Sequence, residues 1–321
     1  SSVDDIERHL YAALAESTEE EAILESYHPG LEVNGLLVAR GGEVTVVTLS
    51  DRRRPPGRGF GVALAHVYPS TLFGDPLEEI ERVGRSTVHA LGLRDGIAYP
   101  QVLWGEDGVA RLIEVAARIP AGQMDLVGRY GVGVDLVEIG LRQALGEPVP
   151  DELVEPRMQQ PMAISFLTAE PGPLPTGKLV RVSGLERVRA FPGVVEAELY
   201  LQEGETIRPV QVDGDRRGYV IAVADTNVEA LERAEAAAGL IDTLTDADIF
   251  LALHRQERAA WGGECGEPEC IADMLLAERR RTAAAARSAL DRVLRRESKE
   301  SPALLLPLAT TRSARDDEPA G

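Results

Sequence analysis

One face of a predicted β-hairpin collects an amide, a carboxylate and a guanidinium. Residues 97–117 contain two runs of strand-forming residues around a turn at 105–108. Because successive side chains of a strand point to opposite faces, Gln101, Glu114 and Arg118 share one face with Tyr99. Oxygen ligands of this kind suit Mg²⁺, and a guanidinium binds phosphate or carboxylate. The alternative is a solvated outer sheet face with a satisfied ion pair.

The position of the turn gives a first estimate of which residues of the two strands pair. Pairing Trp104 with Val109 brings Tyr99 opposite Glu114. A register shift of two residues leaves the same side chains on that face, because the side-chain period of a strand is two. The prediction therefore concerns the composition of the face and not the individual pairs.

The elements up to residue 150 must position this face. Apolar spacings of three and four residues predict helices, whereas alternation and short apolar runs predict strands. These patterns give a helix at 1–22, a strand at 22–24, a hairpin at 31–49, and helices at 76–91 and 126–145. Arg52, Arg53 and Arg54 precede paired prolines and are predicted to lie in a loop, either solvated or facing an anion as a lid. A proline-rich stretch at 148–161 predicts a domain boundary near 150.

The rest of the chain is predicted to form a small domain and a tail. Residues 151–242 form an α+β domain, with strands at 163–168, 179–182, 194–201 and 219–223 and helices at 185–191 and 227–241. Residues 243–300 are a predicted helical extension in which consecutive alanines favour helix. Residues 301–321 carry prolines and charges and are expected to be disordered.

Several of these segments resemble the ATP-grasp ligases. Residues 112–122 resemble the metal-binding strand of that family, and residues 24–35, 65–70 and 133–146 resemble its hinge, its His-x-x-Pro segment and its closing helix. Residues 161–241 are similar to the C-terminal domain of the carboxylate-amine ligases, which include L-amino acid ligases. The resemblance implies an α+β fold, with the C-terminal part of an ATP-grasp fold, an antiparallel sheet with packed helices, at 1–150. A ligase-type α+β domain follows at 151–242, and then a helical, partly disordered tail.

The resemblance also assigns roles to the residues of the second hairpin. It implies that Gln101 and Glu114 bind Mg²⁺ ions that bridge the phosphates of ATP, and that Arg118 contacts the transferred phosphate or the acyl phosphate. Many members of the family have a glutamate at the position of Gln101 and an asparagine at the position of Ala116. Both differences lower the charge of the ligand set.

Three residues outside the hairpin receive roles in the same way. The resemblance implies that Glu25 contacts the adenine or the ribose near the hinge, and that Glu32 contacts the ribose or its surroundings. His66 lies in the segment that resembles the His-x-x-Pro motif of the family and is implied to face the substrate. The alternative for His66 is a packed or exposed imidazole without a ligand.

The implied activity is the ATP- and Mg²⁺-dependent joining of a small-molecule carboxylate to an amine through an acyl phosphate. The family places phosphate-binding lysines and a glycine-rich lid before the hinge, whereas the first lysine of this chain is Lys178. We therefore expect a C-terminal portion of a longer enzyme that lacks an N-terminal ATP-grasp segment and is inactive alone. One alternative is a degenerate half that binds or forms homodimers without catalysis. Another is a relative of biotin-dependent carboxylases or carbamoyl-phosphate synthases.

Composition argues against several other classes. The 34 basic and 53 acidic residues give a net charge of −19, which repels nucleic-acid backbones and anionic membranes. Apolar runs stay well below the roughly 20 residues of a membrane span, and together with the lack of a leader pattern this predicts a cytoplasmic protein. Cys265 and Cys270 are the only cysteines, which excludes a disulfide scaffold and leaves a zinc site without a second ligand pair.

Overall fold

The computed structural model describes residues 3–55 and 61–249. Its helices are α1 (Val3–Glu16), α2 (Asp75–Ala90), α3 (Met124–Leu126), α4 (Leu136–Leu145), α5 (Asp151–Val154), α6 (Leu185–Arg189) and α7 (Asn227–Ala238). Its strands are β1 (Gly30–Arg40), β2 (Glu43–Arg53), β3 (Ala65–Tyr68), β4 (Gly96–Gly105), β5 (Ala110–Ala116), β6 (Met162–Phe166), β7 (Gly177–Ser183), β8 (Val194–Leu199), β9 (Thr206–Ile207), β10 (Gly218–Val223) and β11 (Asp242–Thr245). The predicted tail, and the helical extension from residue 250 onward, lie outside the described residues.

Both predicted hairpins are present and lie side by side. β1 and β2 pair across Gly41 and Gly42, whose φ angles of 57° and 94° lie in the left-handed region that glycine favours. β4 and β5 form the second hairpin. Because β1 also pairs with β4, the two hairpins belong to one sheet.

One antiparallel sheet joins the two halves of the described chain. Its eight strands follow the order β5-β4-β1-β2-β3-β6-β10-β8. The first five of these strands precede residue 150 and the last three follow it. They meet where β3 pairs with β6, at His66 opposite Ile164. The boundary near 150 stays a prediction, but strands from both sides of it share this sheet.

The two faces of the sheet are covered differently. Val33, Asp51 and Val67 follow one another across β1, β2 and β3 and share a face. α2 packs on this face near Val33, and α7 packs on it near Val67. Residues of the 124–145 segment cover part of the opposite face and form the main hydrophobic core with it.

The helix predicted at 126–145 is broken in the middle. α3 continues into a π-helical turn at Val127–Val132, and Gly133 then adopts a φ of 74°. The side chain of Asp135 caps α4 by accepting hydrogen bonds from the backbone N–H groups of Val137 and Glu138 at 2.9 and 3.1 Å. Apolar periodicity runs across the break, so the prediction overlooked the glycine and the capping aspartate.

Two further local predictions are wrong. Residues 22–24 form no strand, because the exposed run has no partner strand among the described residues, and Ile23 and Leu24 are 84% and 77% exposed. Arg52 and Arg53 belong to β2 and not to a loop, because they pair with His66 and Ala65 of β3. The sequence patterns did not predict β3, β9 or β11 as strands.

The region after residue 150 has the predicted α+β character. β6, β8 and β10 extend the large sheet, and β11, β7 and β9 form a second sheet of three strands. Alanines of α7 pack with Leu179 and Val220 in a separate hydrophobic cluster. None of the helices in the described ranges is long and apolar enough to cross a membrane.

Candidate functional site

A polar band crosses the sheet face opposite α2 and α7. Residues that pair across antiparallel strands share a face, and residues two positions apart on a strand do so too. Glu32 pairs with Arg52, which in turn pairs with His66, and Asn34 lies two residues beyond Glu32. The polar band consists of His66, Arg52, Glu32, Asn34, Gln101 and Glu114.

Glu114 and Gln101 lie together on this face, as predicted. Gln101 Nε2 donates a hydrogen bond of 2.6 Å to Glu114 Oε1 across β4 and β5. The register differs from the first estimate, because Trp104 pairs with Ala110 and a bulge at Ile113 adds a residue to β5. At Gln101 the two differences sum to a shift of two residues, which leaves the face unchanged.

This pair fits a single Mg²⁺ ion. It supplies one carboxylate and one amide oxygen once the Gln101 amide is turned over, and Mg²⁺ is often held by one or two protein oxygens together with water and substrate phosphates. Within the described ranges, no group of three or more His, Cys, Asp or Glu side chains could hold a metal. A site with one protein carboxylate therefore depends on the substrate for its remaining charged ligands.

A cavity of about 320 Å³ lies next to this pair, and we call it the arginine cavity. Three arginines from separate elements line it: Arg52 on β2, Arg118 after β5 and Arg216 before β10. The other lining residues are Tyr99, Gln101, Ala121, Gly122, Gln123, Phe166, Tyr200 and Asp213. Three cations against one lining carboxylate favour an anionic ligand, although the whole chain has a net charge of −19.

Arg118 reaches the arginine cavity from outside the strand. β5 ends at Ala116, so Arg118 lies in the bend that follows and not on the strand face. Its exposed guanidinium donates to the Ile119 carbonyl at 3.1 Å. Among the described residues no carboxylate pairs with it, which leaves its charge available to a ligand.

Glu32 forms ion pairs with two arginines, Arg52 and Arg54, and lies between two cavities. Its carboxylate lies 2.8 Å from Arg52 Nη1 and 3.1 Å from Arg54 Nη1. The Glu32 and Arg52 side chains are only 6% and 12% exposed, so this ion pair is held almost without water. Arg52 also donates to the carbonyl of Gly61. These contacts position the Arg52 guanidinium at the wall of the arginine cavity.

A second cavity of about 500 Å³ lies on the other side of Glu32, and we call it the hinge cavity. It brings together Glu25 and Glu32, the two residues that the resemblance assigns to the nucleotide. Leu112 and Ile113 add exposed apolar surface. The complete lining is Glu25, Ser26, Tyr27, His28, Glu32, Arg54, Leu103, Arg111, Leu112 and Ile113. Apolar surface with a few charged groups suits a planar ring that carries polar substituents.

His66 lines neither of these cavities. Its ring is buried, meets Phe166 edge to face at 5.6 Å, and accepts at Nδ1 a hydrogen bond of 3.0 Å from Asn34 Nδ2. Burial, reinforced by Arg216 and Arg52, holds the pKa of His66 well below its usual range. The ring is therefore neutral at pH 7, and its predicted contact with substrate stays a prediction.

Three buried polar atoms on the face of the polar band have no hydrogen-bond partner among the described residues. They are Asn34 Oδ1, Ser50 Oγ and Thr48 Oγ1. Asn34 pairs with Ser50 and lies two residues from the partner of Thr48, so all three side chains belong to the same face as the polar band. Buried polar groups of this kind normally bind ordered water.

Sequence reasoning missed Asn34 and Arg216 as contributors to the site and misplaced Arg52. Asn34 lies inside a predicted strand with no charge to mark it, and Arg52 was predicted in a loop, either solvated or facing an anion. Arg216 lies in the turn-forming segment Asp213–Gly218, more than 90 residues from the second hairpin. Only a pairing of β3 with β6 brings it to the cavity, and no local pattern predicts that pairing.

A family model and a curated relative match parts of this chain. Residues 172–245 match the family model for the L-amino acid ligase C-terminal domain 2, a range that includes Arg216. The uncharacterized protein y4rH of Sinorhizobium fredii is 28% identical over 221 residues, which are 68% of this chain and 43% of that protein.

Two solved structures share the fold. The L-amino acid ligase of Bacillus licheniformis matches with a TM-score of 0.60 at 19% identity, over 68% of this chain and 55% of that one. A biotin carboxylase–ATP complex from Campylobacter jejuni matches with a TM-score of 0.55 at 16% identity, over 82% and 59%. The chain thus spans about half the length of the relatives it matches. The expected resemblance is confirmed: the chain has the fold of the ATP-grasp ligases and carries, at residues 172–245, a domain similar to the L-amino acid ligase C-terminal domain 2.

Proposed function

We propose that this chain forms part of an ATP- and Mg²⁺-dependent ligase that joins a carboxylate to an amine through an acyl phosphate. The observation that carries the proposal is the Glu114–Gln101 pair beside a cavity with three arginines, on the sheet of a ligase fold. A metal-binding pair next to concentrated positive charge suits the transfer of a phosphoryl group, which depends on positioning and charge stabilisation. We place this activity in the cytoplasm.

The two cavities divide the substrates between them. ATP would place its base and ribose in the hinge cavity, near Glu25 and Glu32, and the small carboxylate and amine would enter the arginine cavity. The buried Glu32–Arg52 pair lies between the cavities and belongs to both walls. The phosphates would then cross the polar band next to Gln101, between the two cavities.

Three residues of the polar band and the nearby Arg118 have distinct tasks in this arrangement. Glu114 and Gln101 would hold Mg²⁺, which when bound neutralises phosphate charge. Arg118, which has no carboxylate partner among the described residues, would bind the transferred phosphate. His66 is neutral and held by Asn34, so we assign it a positioning role behind Arg52.

A second candidate is a binding or homodimerisation module without catalysis. One observation favours it: the metal pair contains a single carboxylate, and the amide of Gln101 already bonds to it. Such a pair binds a divalent cation more weakly than two carboxylates would. In this case the protein would bind a nucleotide without turning it over.

The test is ADP release by a full-length form, in which this chain is joined to an N-terminal ATP-grasp segment with its phosphate-binding lysines, with ATP, Mg²⁺ and panels of carboxylates and amines. We expect release that depends on both substrates, and a decrease of about 100-fold or more in Glu114→Ala, because charge stabilisation of the transferring phosphate is lost. Glu106→Ala is the matched control, since Glu106 is an exposed glutamate in the turn of the same hairpin.

Two results would contradict the ligase. Near-normal turnover in folded Glu114→Ala would show that the pair does not hold the metal of the reaction. Nucleotide binding by calorimetry without any ADP release in the wild type would favour the binding module instead.

A further inference from the structure

Arg216 brings a third guanidinium to the arginine cavity from the far half of the chain. It follows a 3₁₀ turn at Asp213–Asp215 and precedes β10. Its Nε and Nη2 atoms donate to the carbonyl of Ala63 at 3.2 and 3.0 Å, and Nη2 lies 2.9 Å from Asp213 Oδ1. The guanidinium also stacks over the Phe166 ring at 4.0 Å. Arg216 is thus fixed in one orientation.

One edge of this fixed guanidinium remains unused. Nη1 donates no hydrogen bond to any of the described residues, whereas Nε and Nη2 are both engaged. A side chain at Gly122 would place its Cβ 3.5 Å from Nη1, so this edge borders the glycine wall of the arginine cavity. Gly122 has a φ of 71° and no side chain, which keeps the space in front of Nη1 open.

The surroundings of this edge favour a small anion. The Arg216 side chain is 11% exposed, and burial, with the nearby Arg52 charge, lowers its pKa from the usual value. Its counter-ion Asp213 is 62% exposed, and Arg52 is paired with Glu32, so Arg118 is the lining guanidinium that no carboxylate of the described residues compensates. A cavity of about 320 Å³ is at the lower end of the range for small-molecule sites, which suits a ligand of amino-acid size.

We propose that Arg216 binds a carboxylate of the substrates that the reaction does not activate. The proposal rests on the proposed ligase function, in which Arg118 takes the phosphate and the activated carboxylate is consumed. A carboxylate that remains intact needs its own planar donor, and the free edge of Arg216 supplies one. Arg216 would therefore select substrates with a second anionic group, either on the amine or on the carboxylate partner.

The first experiment compares substrates with and without this group. ADP release is measured with an amino acid as the amine and with the same amino acid as its amide, and then with a dicarboxylic acid and its monoamide as the carboxylate. We expect Arg216→Gln to raise the KM of one carboxylate-bearing substrate by about 10- to 100-fold, the range for a lost charge-assisted hydrogen bond. The KM of the matching amide should be unaffected. The substrate pair in which the acid responds, the amine pair or the carboxylate pair, identifies which substrate carries the group.

Controls separate binding from folding. Arg216→Lys keeps the charge but not the fork, and should also raise KM while retaining the melting temperature. Arg217→Gln changes the neighbouring arginine, which bonds to Gly214 and does not line the cavity, and should leave KM unchanged. Equal changes for acids and amides in both Arg216 variants would overturn the proposal and assign Arg216 a structural role.

A binding measurement decides the proposal if the wild type releases no ADP. In that case the ligase function fails, and calorimetry of the whole chain with the proteinogenic amino acids, one at a time, takes its place. We expect at least one amino acid to bind, with its amide about 10-fold weaker and Arg216→Gln unable to distinguish the two. Lack of binding by all of them, or equal binding of acid and amide, would overturn the proposal.

Discussion

Asp51 and Ser50 are adjacent buried residues on opposite faces of β2, and their hydrogen bonding differs. On the face covered by helices, the Asp51 carboxylate accepts hydrogen bonds of 2.5 Å from the hydroxyls of both Ser70 and Thr71 and one of 3.2 Å from the Thr71 backbone N–H. Arg53 adds a fourth donor. On the other face, the hydroxyl of the adjacent Ser50 has no hydrogen-bond partner within the part of the chain that the structure describes.

Within one strand, this contrast distinguishes a structural polar group, Asp51, from polar groups that suit a binding site. A fully bonded carboxylate ties β2 to the loop after β3 and leaves nothing for a ligand. Unpaired atoms in an otherwise well-packed interior cost stability and persist where water or a ligand satisfies them. The polar band, with its neutral His66 and unpaired Asn34 oxygen, therefore lies on the face that we assign to function.

Removing Asp51 should have the largest effect. Asp51→Ala leaves two hydroxyls, a backbone N–H and a guanidinium without their common acceptor, so the free energy of unfolding should fall by about 3 kcal/mol or more. Urea denaturation of the whole chain measures this. A loss below about 1 kcal/mol would mean that water replaces the carboxylate readily, and the distinction between the faces would fail.

Glu196 tests whether the stability lost on changing a buried polar group depends on its hydrogen bonds or on the sheet face where it lies. It pairs with Ile221 on the face of the polar band, yet it accepts hydrogen bonds of 2.8 Å from Tyr130 and 2.6 Å from Tyr219. We expect Glu196→Gln to lower the free energy of unfolding by about 2 kcal/mol, since two charge-assisted bonds weaken. Glu203→Gln, an exposed glutamate after the same strand, should change nothing measurable. If the two variants match, location on the face would outweigh bonding.

His66 should give the stability a pH dependence of known sign. Its pKa is lowered in the folded protein by burial, so below about pH 6.5 the unfolded chain binds a proton that the folded chain does not. The contribution of neutral His66 to the free energy of unfolding is complete above about pH 6.5. It is lost as the pH falls from there toward the lowered pKa of the folded protein, by up to about 1.4 kcal/mol per pH unit. His66→Gln should flatten this slope between pH 6.5 and 5.5, whereas the exposed His89→Gln should not. An unchanged slope in His66→Gln would show that His66 is protonated without cost.

Ser50 should give the smallest effect. Ser50→Ala removes a buried hydroxyl that bonds to none of the residues in the described ranges, so the free energy of unfolding should change by less than about 1 kcal/mol and can rise. The same denaturation series measures it beside Asp51→Ala. A loss above about 2 kcal/mol would place Ser50 in a bound-water network as important as the bonds of Asp51.

The sequence predicts the parts of this molecule that depend on neighbours along the chain. Alternation is a local signal, so both hairpins and the shared face of Gln101 and Glu114 follow from it. No local pattern indicates the bulge at Ile113. Together with the shift at the turn it moves the register by two residues, which leaves the same side chains on each face. Glycine and capping signals at Gly133 and Asp135 were present and outweighed by periodicity.

Other parts depend on contacts that no local pattern encodes. The arginine cavity needs Arg52 and Arg216 side by side, and their meeting depends on the pairing of β3 with β6. His66 was recognised by resemblance, but its bond to Asn34 depends on strand order. Burial and the resulting pKa of His66 could be read only from the assembled sheet.

The continuous sheet limits how this chain can be divided. A cut in the proline-rich stretch at 148–161 would part β3 from β6, two short strands buried at every position. Each piece would then present an open strand edge with unpaired backbone groups, a template for aggregation. Contacts between residues about 100 positions apart also make folding slow, because a long loop must close before they form. The domain at 172–245 therefore depends on the preceding region for its folding as well as for the proposed site. The two should be exchanged between proteins only as one unit.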